Sequence, residues 1–356
     1  MAIGLPIIDI NFSKLAVTAI TRSSQQIAAL IIKEATASVQ EFTSALALAD
    51  SIYTDTNVQY IKDVLSGGCS KVIVVAVASS SENVVADAIT ALGYRKFNWI
   101  ALAEGTAEEQ SDLVTYVKEQ EALKKGIWGV VFNVTAPDCQ HIVNFTNNNV
   151  KYKTGTTATG DKFVTPILGL QAGLPLTQSS TYYVFNELES VIEPANVETA
   201  INNGEFVLFN DDEQVRVGRG VNSLTTLSNG VTDDFKKIVI VRTIDLIRAD
   251  IQATFKNDYV GKYKNSYDNQ VLFISAINSY LADLASEGIL DRNYNNVCYV
   301  DVEAQRAAWV DSGKTEALGW TDVEVRNNTF GSNLYLAGQI KILDAIEDLK
   351  FDITMA

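Results

Sequence analysis

The sequence is short of the residues that carry most covalent and metal chemistry. Its 356 residues include a single histidine, His141, and three cysteines, Cys69, Cys139 and Cys298. A histidine-rich metal centre is excluded, and a four-cysteine zinc site lacks a ligand. Cys139 and His141 supply only half of a mixed site, and no second Cys/His pair exists, so no metal is expected. Three cysteines without paired spacing do not describe a secreted disulfide scaffold; folding in a reducing compartment is expected. Long apolar runs are missing too. The longest, 72–78, is far below the roughly 20 residues of a membrane-spanning helix. The opening MAIGLPIIDINF has neither the basic start nor the continuous apolar stretch of a signal peptide. Basic residues are in the minority: 28 Lys and Arg stand against 43 Asp and Glu, a formal net charge of −15. Nucleic acid and anionic membrane surfaces are poor partners for that balance. A soluble, acidic protein folded in the cytoplasm is the expectation.

What is present is the ordinary material of a globular chain, 47% hydrophobic and 20% charged, long enough for two or three domains. The first 20 residues alternate. Ile8, Ile10 and Phe12 share one face, and Leu15, Val17 and Ala19 repeat the pattern, which predicts one or two strands. A short strand is predicted over 28–32. From 55 to 134 the order is strand, helix, strand, helix, strand: 71–77, a helix capped by Ser81 to about 92, 97–102, a helix over 106–123, and 127–134. That order implies a small parallel sheet with crossover helices. The polar stretch 144–161 reads as an exposed loop around a short strand at 150–153. A helix is expected over 163–174. Asn210-Asp211-Asp212-Glu213 marks a hairpin between strands 205–209 and 214–217. Apolar residues at helical spacing predict long helices over 238–255 and 270–287, the second ended by Gly288. Strands are expected at 296–302, 322–325 and 333–342. The last residues alternate again, with Leu349, Phe351, Ile353 and Met355 on one face.

No catalytic or cofactor site emerges. Gly155-Thr156-Thr157-Ala158-Thr159-Gly160-Asp161-Lys162 superficially has the context of a phosphate-binding loop. Asp161, however, stands where the lysine belongs and would repel phosphate. The turn after strand 71–77 has no glycine, so a pyrophosphate could not approach its backbone in the dinucleotide-binding manner. His141 is the only histidine available to a triad, and no G-x-S-x-G elbow is present.

Two features stand apart. Each terminal strand either pairs within its own subunit or extends to a neighbour as an added strand. The second is local charge: 235–264 holds Lys236, Lys237, Arg242, Arg248, Lys256, Lys262 and Lys264 against Asp245, Asp250 and Asp258. It reads either as a solvated helix face or as a docking surface for an acidic partner.

The C-terminal half resembles the sheath proteins of contractile phage tails. The resemblance rests on Arg219-Gly220-Val221-Asn222-Ser223-Leu224-Thr225-Thr226 after the hairpin, then Val241-Arg242-Thr243-Ile244-Asp245 and Tyr259-Val260-Gly261-Lys262. Upstream, Gly169-Leu170-Gln171-Ala172-Gly173-Leu174-Pro175 and Ser180-Thr181-Tyr182 fit the same family. It covers 160–356 and the first 20 residues, and is similar to short sheaths from phages and phage-tail-like bacteriocins of Gram-positive bacteria. The family implies an α/β and α+β protein in four parts: an N-terminal β-arm (1–22), an outer domain with the small parallel sheet (23–200), an inner mixed α+β assembly domain (201–343) and a C-terminal β-arm (344–356). It implies a helical homo-oligomer of stacked rings around an inner tail tube protein, with baseplate and tail terminator proteins as further partners. Ile8, Ile10, Phe12, Leu349, Phe351, Ile353 and Met355 become intersubunit strand residues. Arg242, Arg248 and Lys256 become candidates for facing the tube. Assembly in a bacterial host cytoplasm, then residence in a virion tail or phage-tail-like particle, follows. The competing readings are an α/β enzyme of unknown substrate and a surface-array or adhesin subunit.

Overall fold

A computed structural model describes residues 19–24, 26–48, 52–228 and 230–355. The predicted strand residues Ile8, Ile10 and Phe12, with Leu15 and Val17, lie outside the described residues. In chain order the first elements are β1 (Ile27–Glu34), β2 (Ser38–Phe42), α1 (Asp55–Ser66), β3 (Lys71–Ala78), α2 (Val84–Leu92), β4 (Trp99–Leu102), α3 (Ala107–Ala122), β5 (Trp128–Phe132) and β6 (Ile142–Phe145). There follow β7 (Asn149–Tyr152), β8 (Thr157–Thr159), α4 (Gly160–Gly173), β9 (Leu188–Val191), α5 (Val197–Asn202), β10 (Glu205–Phe206), β11 (Leu208–Asp211), β12 (Gln214–Val217) and α6 (Ile238–Thr254). The rest are α7 (Tyr267–Ser286), β13 (Val297–Val300), α8 (Val302–Asp311), α9 (Asp322–Asn327) and β14 (Leu336–Gln339).

The described residues fall into two compact units. One is Arg22–Ala249 with the chain from Ile342 onward; the other is Asp250–Lys341 with the described residues before Arg22. The first unit contains a seven-stranded sheet in the order β10-β6-β5-β4-β1-β3-β2. All its pairings are parallel except β2 with β3. The sheet is larger than the sequence pattern suggests, because β1 enters its middle and β10 extends its far edge. That second pairing places Glu205 and Phe206, beyond the expected domain boundary at 200, in the sheet.

The sequence of β1, Ile-Ala-Ala-Leu-Ile-Ile-Lys-Glu, is apolar at successive positions, as a strand covered on both faces requires. Ala28, Leu30 and Ile32 join the larger hydrophobic cluster with Tyr60, Ile61 and Val64 of α1 and Phe163, Ile167 and Leu168 of α4. Ala29 and Ile31 join the opposite cluster with Val84, Val85, Ala88 and Leu92 of α2 and Leu113, Val114 and Val117 of α3. α3 begins on a full capping box, Thr106 with Glu109. α2 begins at Asn83 instead of Ser81. Ser81 accepts from the Asn83 N–H at 3.0 Å and donates to Asp87 at 2.6 Å, one turn early. The 144–161 stretch contains the expected short strand, as β7, but also a second strand, β8, in place of further loop. β7 and β8 pair there, and β9 completes a three-stranded antiparallel sheet.

α1 and α4 approach until backbone meets backbone. A Cβ on Gly169 would lie 2.5 Å from the Val64 carbonyl oxygen, and one on Gly67 2.0 Å from the carbonyl carbon of Gly169. The glycines of the 169–175 segment are therefore packing residues.

In the second unit β13 and β14 pair antiparallel. Residues 322–325, expected to be extended, begin helix α9, whose Thr321 and Glu324 form a capping box. α8 follows β13 directly, with Asp301 as its N-cap. Among the described residues no helix is long and apolar enough to cross a membrane.

Gly169→Ala should destabilise the first unit by roughly 3 kcal/mol, because the added methyl meets helix backbone that cannot rotate aside. Gly319→Ala, where a Cβ meets nothing within 4 Å, should stay within about 0.5 kcal/mol of wild type in the same denaturant titration.

Candidate assembly surfaces

In an open α/β sheet a ligand crevice belongs at the carboxyl ends of the strands, where the strand order reverses. Here that place is the end of β1, between β3 and β4. Its polar groups are already committed to one another. Glu34 accepts from the Thr54 N–H at 2.8 Å, the Thr54 hydroxyl at 3.0 Å and Asn57 Nδ2 at 2.9 Å. Lys33 is paired with Glu109 at 2.6 Å. The crevice is a carboxylate-lined structural joint, the wrong chemistry for a phosphate.

The one histidine is similarly committed. His141 is buried, with Nδ1 2.8 Å from Glu121 Oε2 and Nε2 2.9 Å from Asp245 Oδ2. Burial opposes a charged ring, but the two carboxylates outweigh it and raise His141 to about 9. At neutral pH the imidazolium therefore donates to both, and no lone pair remains for a general base. Asp245 also accepts from Trp128 Nε1 at 3.0 Å and from Arg248 at 3.2 Å. Cys139, 3.0 Å from Glu121, is pushed up by burial and by that carboxylate's charge, so its thiol is inert. The cluster joins α3, the entry to β6, β5 and α6 around one buried cation. Among the described residues no group of three or more His, Cys, Asp or Glu is arranged to hold a metal.

The three basic residues expected to face a tube are placed differently from one another. Arg242 is 5% exposed. Its guanidinium donates to the Leu174 carbonyl at 2.8 Å and lies 5.6 Å from the centre of the Trp99 ring. That corrects the expectation for Arg242: helical periodicity turns it to the core, where a carbonyl and an aromatic face hold its charge. Arg248 is partly exposed beside Asp245, and Lys256 is exposed. The surplus charge of 235–264 is also spent internally, since Lys236 pairs with Asp233 at 2.7 Å and Lys237 with Glu347 at 2.9 Å.

The C-terminal segment offers the opposite case. Leu349, Phe351, Ile353 and Met355 are 88, 74, 70 and 91% exposed, and residues 343–355 join no strand ladder among the described residues. Four large apolar side chains in one alternating register are left to water. In the second unit, no strand among the described residues pairs with the far edge of β14. Asn278 of α7 accepts from the Cys298 N–H at 2.6 Å and donates to the Cys298 carbonyl at 3.1 Å, which plugs the outer edge of β13. Cys298 and Gly338 are opposite each other, so the peptide groups of Gly338 also point outward, toward an unblocked edge.

An apolar extended segment and an open strand edge are means of joining chains, and the class they define is a structural assembly subunit. Comparison with known proteins gives the particular family. Residues 231–356 match the phage tail sheath C-terminal domain. The chain is 33% identical over 363 residues to the tail sheath protein of Clostridium phage phiCD119, covering 99% of each. The solved sheath tail protein of Desulfitobacterium hafniense shares the fold at 17% identity and a TM-score of 0.67, over 83% of this chain and 93% of that one. So does the helical sheath of the anti-feeding prophage in its contracted state, at 14% identity and a TM-score of 0.70 over 100% of both chains. This chain belongs to the phage tail sheath family. Its role is that family's structural one, a tail sheath protein and not an enzyme.

The raised pKa of His141 fixes a stability profile. Its contribution is complete below pH 6.5, the ordinary histidine value, and is lost as pH rises through about 9. The stability gap between wild type and His141→Gln should narrow across that window by on the order of 3 kcal/mol, measured by unfolding at a series of pH values.

Proposed function

We propose that the subunit polymerises into a helical stack of rings around an inner tail tube, between a baseplate and a tail terminator, after synthesis in a bacterial host. The arms join the polymer. The exposed register of Leu349, Phe351, Ile353 and Met355 is the observation that carries this reading. An alternating strand with no ladder of its own supplies main-chain hydrogen bonds and apolar side chains to a receiving edge. The open edge of β14 has the chemistry of that receiver. The N-terminal residues Ile8, Ile10 and Phe12 are proposed to serve in the same way. Identical contacts that do not close into a dimer generate a helical polymer.

The four-part division into arms (1–22 and 344–356), outer domain (23–200) and inner assembly domain (201–343) is retained as a functional proposal. Contraction is then a repacking of subunit bodies while the arms keep the mesh connected. Its free energy comes from new lateral contacts in the polymer, without a nucleotide. Arg248 and Lys256 remain the tube-facing candidates; Arg242 does not. The finished sheath is part of a virion tail or a phage-tail-like particle.

Electron microscopy of the purified protein should show hollow tubes or rings. Deletion of 349–356 should leave a folded, dispersed subunit, and tubes formed by that variant would refute the role of the C-terminal arm. Charge reversal at the exposed Lys256 should lower the yield of sheath assembled on added tube without shifting the melting midpoint of the subunit.

A further inference from the structure

Two landmark segments of the sequence meet in space: Ser180-Thr181, with Ser179 before it, and Arg219-Gly220. The structure brings them together around one carboxylate, Glu347, at the root of the C-terminal arm. Glu347 interrupts the apolar register of Leu343, Ala345, Leu349 and Phe351, yet its side chain is only 4% exposed. One oxygen accepts from the Thr181 hydroxyl at 2.5 Å and the Ser179 hydroxyl at 3.0 Å. The other accepts from Lys237 at 2.9 Å and lies 3.8 Å from Arg219. The flanking acids use the same two cations: Asp344 pairs with Lys237, and Asp348 with Arg219 at 2.6 Å. The walls are themselves fixed. Thr181 Oγ1 accepts from the Gly220 N–H at 2.9 Å, and a Cβ on Gly220 would crowd Ser180 and Ser179 at 2.8 and 2.9 Å. Burial works against the ionised form of Glu347, but its hydroxyl and ammonium donors outweigh it and hold the carboxyl below its usual range.

We propose that this cup is a docking site for the acidic root of the C-terminal arm, Asp344 to Asp348, and that it anchors the arm to the body of its own subunit. The anchored residues end at Asp348, so the segment free to reach a neighbour begins at Leu349. Tension on the arm then passes through Glu347 to Lys237, at the entry to α6, and to the 179–181 and 219–220 segments. Without the anchor, a pull would be taken up by the extended chain from 342 onward. That the arm bears tension rests on the sheath reading above; the docking itself does not.

The docking can be read on the purified full-length subunit with a glutamate-specific protease, because the anchoring residue is itself the cleavage site. Cleavage of a native protein follows the population of its open form when opening is fast. Wild type should therefore lose 348–356 at least about tenfold more slowly than it is cut at the exposed Glu82. Lys237→Ala and Thr181→Val should bring cleavage after Glu347 up to the Glu82 rate while circular dichroism and the rate at Glu82 stay unchanged. Wild-type cleavage after Glu347 as fast as at Glu82 would overturn the proposal without any variant. So would variants that leave the protection intact. In assembly trials at equal concentration the same two variants should yield about tenfold fewer tubes, an opening of the anchor corresponding to that cleavage change. Undiminished tubes from unprotected variants would remove the mechanical role. A wild type that forms no tubes counts against the sheath reading alone, and the protease result on the subunit stands separately.

Discussion

Strand β1 has to be covered on both faces, and much of the first unit follows from that constraint. With Leu30 and Ile32 on one side and Ile31 on the other, no single helix layer suffices. α1 and α4 cover one face and α2 and α3 the other. Two helices on one face must also meet each other, and the closest approach of α1 and α4 falls where Gly67 and Gly169 leave room. Burying apolar area at about 25 cal/mol per Å² rewards such close packing. The final layer brings Ile238 and Val241 of α6 into the same core. It also sets Asp245 against Trp128 and His141.

The buried charges share one logic. Arg242 meets a carbonyl and an indole, His141 two carboxylates, and Glu347 two hydroxyls and an ammonium. Each is satisfied on the spot, which is what permits burial of a charge at all. None is left poised for proton transfer, in keeping with a family whose members build a shell. The acid-rich composition acquires a structural meaning at the C-terminus, where three carboxylates within five residues engage two cations of the body.

Much of the fold was legible in the sequence wherever local pattern and local chemistry agree. The extent of α3, the hairpin at Asp211 and Asp212, and the stripes of α6 and α7 all fall where periodicity and turn residues place them. The misreading of 322–325 is instructive. Val323 and Val325 alternate like a strand, but Thr321 and Glu324 form a capping box and start a helix. Two local signals competed, and the cap was the one tied to a specific pair of hydrogen bonds. Arg242 was misplaced for a different reason. Composition marks a residue as charged but not which face of the helix it occupies, and the apolar neighbours Val239, Ile240 and Val241 were the better guide. Glu347 left a signal that went unread, a carboxylate in a register otherwise apolar from Leu343 to Met355.

By itself, the sequence determined the repertoire: one histidine, three cysteines, the alternating apolar registers near both ends, and the ordered landmarks of a sheath. These depend on which residues are present and on spacing along the chain, which are local properties. Only the tertiary structure decided which charges are available to a partner. His141 and Asp245 are separated by 104 positions, and Glu347 and Thr181 by 166. Whether such groups neutralise one another depends on packing that no local window contains. The same packing leaves Leu349, Phe351, Ile353 and Met355 exposed to water.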